Sequence, residues 1–157
     1  MKTDREVLTP SQRWAGLATI VAMLVLLGFF AFHQWANTGF FTAAFGSLEM
    51  LALYGPILVS FAAPIARAIS GRHNPARPFE AATYVSLALG SLWLAIVFPF
   101  NFAHLTDVLP GAIRFVFSWI TNDIGRWVLI LQVIIGVIFT PLTIFTFFTT
   151  RRRASAT

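Results

Sequence analysis

Apolar positions in this chain run in four long blocks, at roughly 17–32, 48–69, 81–102 and 127–148, with polar residues gathered in short joints between them. A helix rises 1.5 Å per residue, so an apolar run of about 20 residues covers a hydrocarbon layer about 30 Å thick. The pattern predicts an all-α integral membrane protein, a four-transmembrane-helix bundle with helices at about 10–35, 47–69, 78–102 and 124–150. The first block looks short, but Thr9 can cap a helix, Pro10 suits the first helical position, and Gln12 can complete a capping box. That helix is expected to start near Pro10 and reach about Trp35. A signal peptide is the competing reading of this block. Phe32-His33-Gln34-Trp35 is a poor small-residue cleavage site and the helix is too long, so the segment is expected to be retained. With no repeat of solenoid period, no low-complexity linker and no second domain, residues 1–157 read as one transmembrane domain without a soluble catalytic part.

The joints differ in character. Residues 71–78, Gly-Arg-His-Asn-Pro-Ala-Arg-Pro, read as a tight exposed turn, with Pro78 opening the third helix and Glu80 in its first turn. Residues 36–46 carry Phe40, Phe41 and Phe45 and no full charge, which suits a loop lying in the membrane interface or against a partner. The segment at about 109–121 is too short to span. Its aromatic run around Arg114, ending at Trp119, predicts a short interfacial helix or a re-entrant piece before the fourth helix.

Composition agrees: 57% of residues are hydrophobic and 11% charged, too few charges to cover a water-soluble globule. Cysteine is absent, which excludes disulfides, thiolate catalysis and cysteine-bound metals. The net charge of +5 would ordinarily invite a nucleic-acid partner, but its placement explains it better. Lys2, Arg5 and Arg13 precede the first helix, Arg67, Arg72 and Arg77 surround the middle joint, and three arginines at 151–153 follow the fourth helix. The joints at 36–47 and 103–126 hold only Arg114 and Arg126. By the positive-inside rule, both termini and the middle joint are expected in the cytoplasm, giving a multi-pass N-in/C-in protein of a plasma membrane such as the bacterial inner membrane. The arginine triplet reads as an anchor against anionic lipid headgroups, not a nucleic-acid tail.

Inside a bilayer, small and polar side chains mark packing faces. Gln132, Gly136, Thr140 and Thr143 form one stripe on the fourth helix. Glu49, Pro56, Ser60, Ala63 and Arg67 form another on the second, and Thr83, Ser86, Gly90 and Ser91 a third on the third helix. These stripes read as the glue of a bundle or as the lining of a substrate path. Pro56, Pro64, Pro99 and Pro141 free the carbonyls of Ala52, Ser60, Ala95 and Val137, as packing kinks or as gating points.

Glu49 opens the second helix and Arg126 the fourth at the same expected level, which predicts an outer-leaflet ion pair between them. Exposure to headgroups, or a proton or anion role for Glu49, are the other readings. His33 ends the first helix and His104 follows the third, near Asp107. They read as solvated interfacial histidines, or as ligands of one outer haem or metal site if their helices approach. No nucleotide loop, dinucleotide fingerprint or nucleophile elbow is present. These readings predict a non-enzymatic chain without a cofactor, an accessory or structural subunit that stabilises an energy-conversion or transport assembly by helix packing, its 17 Phe and 5 Trp set against larger integral membrane subunits. A small haem-binding electron-transfer subunit is one alternative.

The other alternative comes from a resemblance. With Glu49 near the start of the second helix and Arg72-His73 in the middle joint, the chain resembles the small four-helix membrane subunit of binding-protein-dependent secondary transporters. The likeness covers general layout, and the turn at 74–78 and the proline pair in the second helix depart from that family's pattern. It implies a non-catalytic membrane subunit in a transport assembly.

Overall fold

A computed structural model describes residues 7–155, with side-chain surroundings for residues 7–150. Lys2 and Arg5, counted in the charge argument, lie outside the described residues, as do the side chains of the arginines at 151–153. The fold is all-helical: α1 (Pro10–Trp35), α2 (Ser47–Ser60), α3 (Ala62–Ser70), α4 (Arg77–Val97), α5 (Gly111–Phe117) and α6 (Asn122–Ser155). Four stretches are long and apolar enough to cross a membrane: Pro10–Trp35, Ser47–Ser70, Asn74–Val97 and Asn122–Thr150.

Helix ends follow from local chemistry. At the start of α1, the Thr9 hydroxyl accepts from the Gln12 amide at 3.4 Å while Gln12 Oε1 accepts from the Thr9 amide at 2.8 Å. Pro10 occupies the first turn, where a missing N–H costs nothing. The second span is two helices meeting at Phe61. Pro64 has no amide to donate to the Ser60 carbonyl, and the chain tightens there, with the Phe61 amide donating to the Leu58 carbonyl at 3.3 Å. The Ser60 hydroxyl turns back to the Ile57 carbonyl at 2.6 Å. Pro56 and Pro141, in contrast, lie inside continuous helices.

The third span ends earlier than expected. α4 stops at Val97 because Pro99 disfavours helical geometry at the residue before it. Phe98 takes a left-handed conformation (φ 44°) and donates its amide to the Leu94 carbonyl at 2.8 Å. Pro99 is therefore a terminator, not an internal kink, and residues 98–102 belong to the joint. At 109–121 the helical part is limited to α5, whose residues are all exposed.

α2 packs on α4 and α4 on α6, so neighbouring spans run antiparallel in a row. α1 joins the α2/α3 side of the row, and none of its most apolar stretch is buried inside the chain. Two glycines set the close approaches. A Cβ at Gly90 would collide with the Ala52 carbonyl oxygen, the same carbonyl that Pro56 leaves without an amide donor, so α4 backbone covers a freed acceptor. A Cβ at Gly136 would sit 2.6 Å from the Tyr84 carbonyl oxygen and 2.7 Å from the Ala88 methyl. At one end of the row the joints 36–46 and 98–110 fold over the helix ends as a cap. The other end carries the 71–76 turn and is called the basic end.

Candidate functional site

The cap gathers His33, His104 and Asp107, with Glu49 and Arg126 at its edge, and phenylalanine builds it. Phe40, 1% exposed, lies at its centre, with ring centroids of Phe30, Phe41, Phe100 and Phe102 between 5.0 and 6.0 Å away. The two joints are stitched by a short antiparallel bridge, in which the Thr42 amide donates to the Pro99 carbonyl at 3.0 Å and the Asn101 amide to the Phe40 carbonyl at 2.7 Å. The 36–46 joint is thus anchored to its own chain through Phe40, while most of its other residues stay exposed. Gly39 makes the turn possible: its φ is 90°, and a Cβ there would sit 3.2 Å from the His104 ring.

His33 is buried against this core, 1% exposed, with Phe29 and Phe40 rings 4.7 and 4.8 Å from its own. Its Nε2 lies 3.2 Å from the Leu105 carbonyl, which can only accept, so Nε2 carries the proton. Nδ1 then accepts from the Thr38 hydroxyl at 2.6 Å, and that hydroxyl accepts in turn from the Phe40 amide at 3.4 Å. The tautomer is assigned here from the partners. A solvated interfacial His33 is corrected by this geometry. The side chain joins the end of α1 to the joint after α4, and ligating a metal through either nitrogen would break one of these bonds. His104 pairs through Nδ1 with Asp107 Oδ2 at 2.8 Å on the exposed rim of the same cap. Among the described residues no three His, Asp or Glu side chains are grouped to hold a metal. A cavity of about 180 Å³ opens beside His33, Gln34, Asn37 and Thr42.

Glu49 and Arg126 do not pair. Glu49, 8% exposed, is held by two donors: the Gly46 amide of its own helix start at 2.9 Å to Oε2, and Trp93 Nε1 of α4 at 2.9 Å to Oε1. Arg126 is exposed and stands over the Phe98 ring, 4.6 Å from its centroid. The physical reason is positional. Pro99 ends α4 early and turns Phe98 into the place where Arg126 finds a cation–π partner, while the Trp93 indole, which needs an acceptor in an apolar layer, takes the carboxylate.

Of the α6 stripe, Gln132 Oε1 accepts from the Ser91 hydroxyl at 2.8 Å, and Gly136 lies against α4. Thr140 turns its hydroxyl to the Gly136 carbonyl of its own helix at 2.6 Å. Trp119 is 64% exposed, its indole donating locally to the Val116 carbonyl at 2.7 Å. Arg114 folds back from α5 onto the carbonyls of Leu109 at 2.9 Å and Asp107 at 3.1 Å.

At the basic end, Arg67 pairs with Glu80 at 3.1 Å. Arg77 donates to the Asn74 side chain at 3.2 Å, the Thr146 carbonyl at 2.9 Å and the Thr150 hydroxyl at 2.6 Å, clamping the turn to α6. Arg72 and His73 sit in this turn, a helix length away from Glu49, so the residues that carried the transporter resemblance form no common site.

Sequence reasoning missed Trp93 and Thr38, and named Phe40 and Arg77 without the contacts they make. Trp93 had a signal: a buried-layer indole N–H requires an acceptor, and Glu49 is an acceptor near the same end. The others are placed by contacts between residues far apart in the chain. In comparison with known proteins, the chain matches no family model, no curated protein and no solved structure.

Proposed function

We propose that the chain is a non-catalytic structural subunit of a larger membrane protein complex, lying N-in/C-in in a bacterial inner membrane with α5 in the outer headgroup layer. The observation that carries this reading is the use made of the polar groups inside the fold. Glu49, His33, Ser91 and Gln132 each face a protein partner at hydrogen-bonding distance and join one helix or joint to another. Groups tied in this way stiffen a scaffold and are not presented to a substrate. The exposed apolar side chains of Ile113, Phe115, Phe117 and Trp119 supply a surface at the cap end that suits headgroups or a larger integral subunit. Purification of the full chain from its native membrane in a mild detergent tests the reading. Other integral subunits are expected to co-purify at fixed stoichiometry; migration of the chain without any other polypeptide would sink it. An absorption spectrum of the same sample, lacking a haem Soret band, is the expected accompaniment.

A further inference from the structure

We infer that the cavity at the cap end of α1 binds the headgroup of a neutral membrane amphiphile through its carbonyl oxygens, such as a quinone or an acyl ester carries. The cavity, of about 180 Å³, is lined in part by the Phe41 and Phe45 rings, whose centroids are 4.0 Å apart. His33, which also borders it, uses both ring nitrogens inside the cap. The other polar groups on the lining keep donors to spare. Gln34 Oε1 accepts from the Tyr54 hydroxyl of α2 at 3.0 Å, which leaves Gln34 Nε2 without an acceptor. Thr42 Oγ1 accepts from the Ala44 amide at 3.4 Å, and its own proton goes to no protein group among the described residues. The Asn37 side chain and the backbone amides of Gly39 and Phe41 likewise have no acceptor among the described residues. One small space is thus bordered by two side-chain amides, a hydroxyl and two backbone N–H groups, all able to donate.

Charge and size narrow the ligand. No Asp, Glu, Lys or Arg lines the cavity, and Asp107 stands on the same cap, tied to the His104 ring that packs against Gly39. Donors without a cation, near a carboxylate, suit a neutral oxygen acceptor and disfavour an anion. Water would satisfy the donors but leave the two phenyl rings wetted, whereas a carbonyl-bearing headgroup meets both. Drug-sized ligands occupy about 300–1,000 Å³, so this space takes a headgroup and leaves the remainder of the molecule outside. That remainder has a place in the apolar layer. α1 touches α2 far less than α2 touches α4, and none of the most apolar stretch of α1 is buried inside the chain. The Gln34–Tyr54 hydrogen bond joins α1 to α2 beside the cavity, and a tail leaving it runs along the seam between these two helices. Trp35, 82% exposed at the end of α1, suits the interface between headgroups and acyl chains, the level at which such a molecule lies.

Calorimetric titration of the full-length chain in a maltoside detergent, which carries no carbonyl, tests the site. The probes are a decyl-tailed benzoquinone, dioctanoylglycerol, and decylbenzene, which keeps ring and tail without an acceptor. At least one carbonyl probe is expected to bind at one site per chain, and decylbenzene about tenfold more weakly or less. Binding of the benzoquinone alone assigns a quinone, and binding of dioctanoylglycerol alone assigns an ester lipid. Asn37→Gly combined with Thr42→Val removes two donors, and glycine keeps the left-handed backbone at position 37, where φ is 48°. This variant is expected to lose about tenfold in affinity. Its unfolding temperature reports whether the cap is intact; where it falls, Gln34→Ala, which leaves the 36–46 joint untouched, is read instead. Decylbenzene binding as tightly as the carbonyl probes would overturn recognition of the headgroup, and unchanged affinity in a folded variant would put the probe elsewhere. Failure of both carbonyl probes to bind would leave the cavity to water and overturn the inference. None of these results bears on the subunit reading, which co-purification decides separately.

Discussion

The Glu49 carboxylate accepts one hydrogen bond from its own helix start and one from across the row, and the second belongs to Trp93. Trp93→Phe keeps the aromatic volume and removes that donor, so a cycle with Glu49→Gln should show coupling in thermal stability measured in detergent. The cycle of Glu49→Gln with Arg126→Gln should be additive, since Arg126 faces Phe98 instead; coupling there and none with Trp93 would reverse the assignment. His33 supports a prediction with a magnitude. His33→Leu leaves the Leu105 carbonyl and the Thr38 hydroxyl without their partner in the cap, each an unsatisfied group worth about 1–3 kcal/mol if it stays dry. Thr38→Val removes only the hydroxyl half and should cost less. Equal stability of His33→Leu and the parent chain by thermal unfolding would show that water replaces both bonds.

Among the helices, packing at glycines gives the sharpest contrast. Gly136→Leu inserts a side chain where the Tyr84 carbonyl and Ala88 already stand, and overpacking of this kind costs about 1–3 kcal/mol. Gly28→Leu, with open space at the site, should leave the stability of the isolated chain unchanged. Unfolding of the two variants in the same detergent checks the pair. The legibility of the elements divides along the same physics. Run length and hydropathy carry the four long helices, and the Thr9-Pro10-Gln12 signature marks the first start, because these are local properties of the chain. The end of α4 was misread because proline permits both a kink and a stop. Only the packing of Phe98, Phe100 and Phe102 into the cap makes the stop favourable, and that packing depends on Phe40, some 60 residues earlier. The Glu49–Arg126 expectation failed for a related reason: a shared depth in the membrane does not fix a shared direction, and an indole on α4 met the carboxylate first.

For the whole molecule, the cap constrains topology independently of any charge count. The 36–46 and 98–110 joints are bonded to each other through Thr42 to Pro99 and Asn101 to Phe40, so they must lie on one side of any membrane that the four long helices cross. The 71–76 turn, separated from both by a full span, must lie on the other. Which side is which rests on the basic residues: Arg67, Arg72 and Arg77 stand at the turn, against Arg114 and Arg126 at the cap end, and the excess favours a cytoplasmic turn. Single cysteines at Ala44, Asn74 and Asp107, probed in intact cells with a membrane-impermeant thiol reagent, test both steps at once. Ala44 is a better reporter than Gly39, where a φ of 90° strains any side chain and a Cβ would press on the His104 ring at 3.2 Å. The expected outcome is labelling at 44 and 107 and protection at 74 until the membrane is opened. Labelling at 74 with protection at 44 and 107 would keep the four spans and invert the orientation. Opposite accessibility of 44 and 107 would be more damaging, because no arrangement of the four helices could then preserve the bridge that holds the cap together.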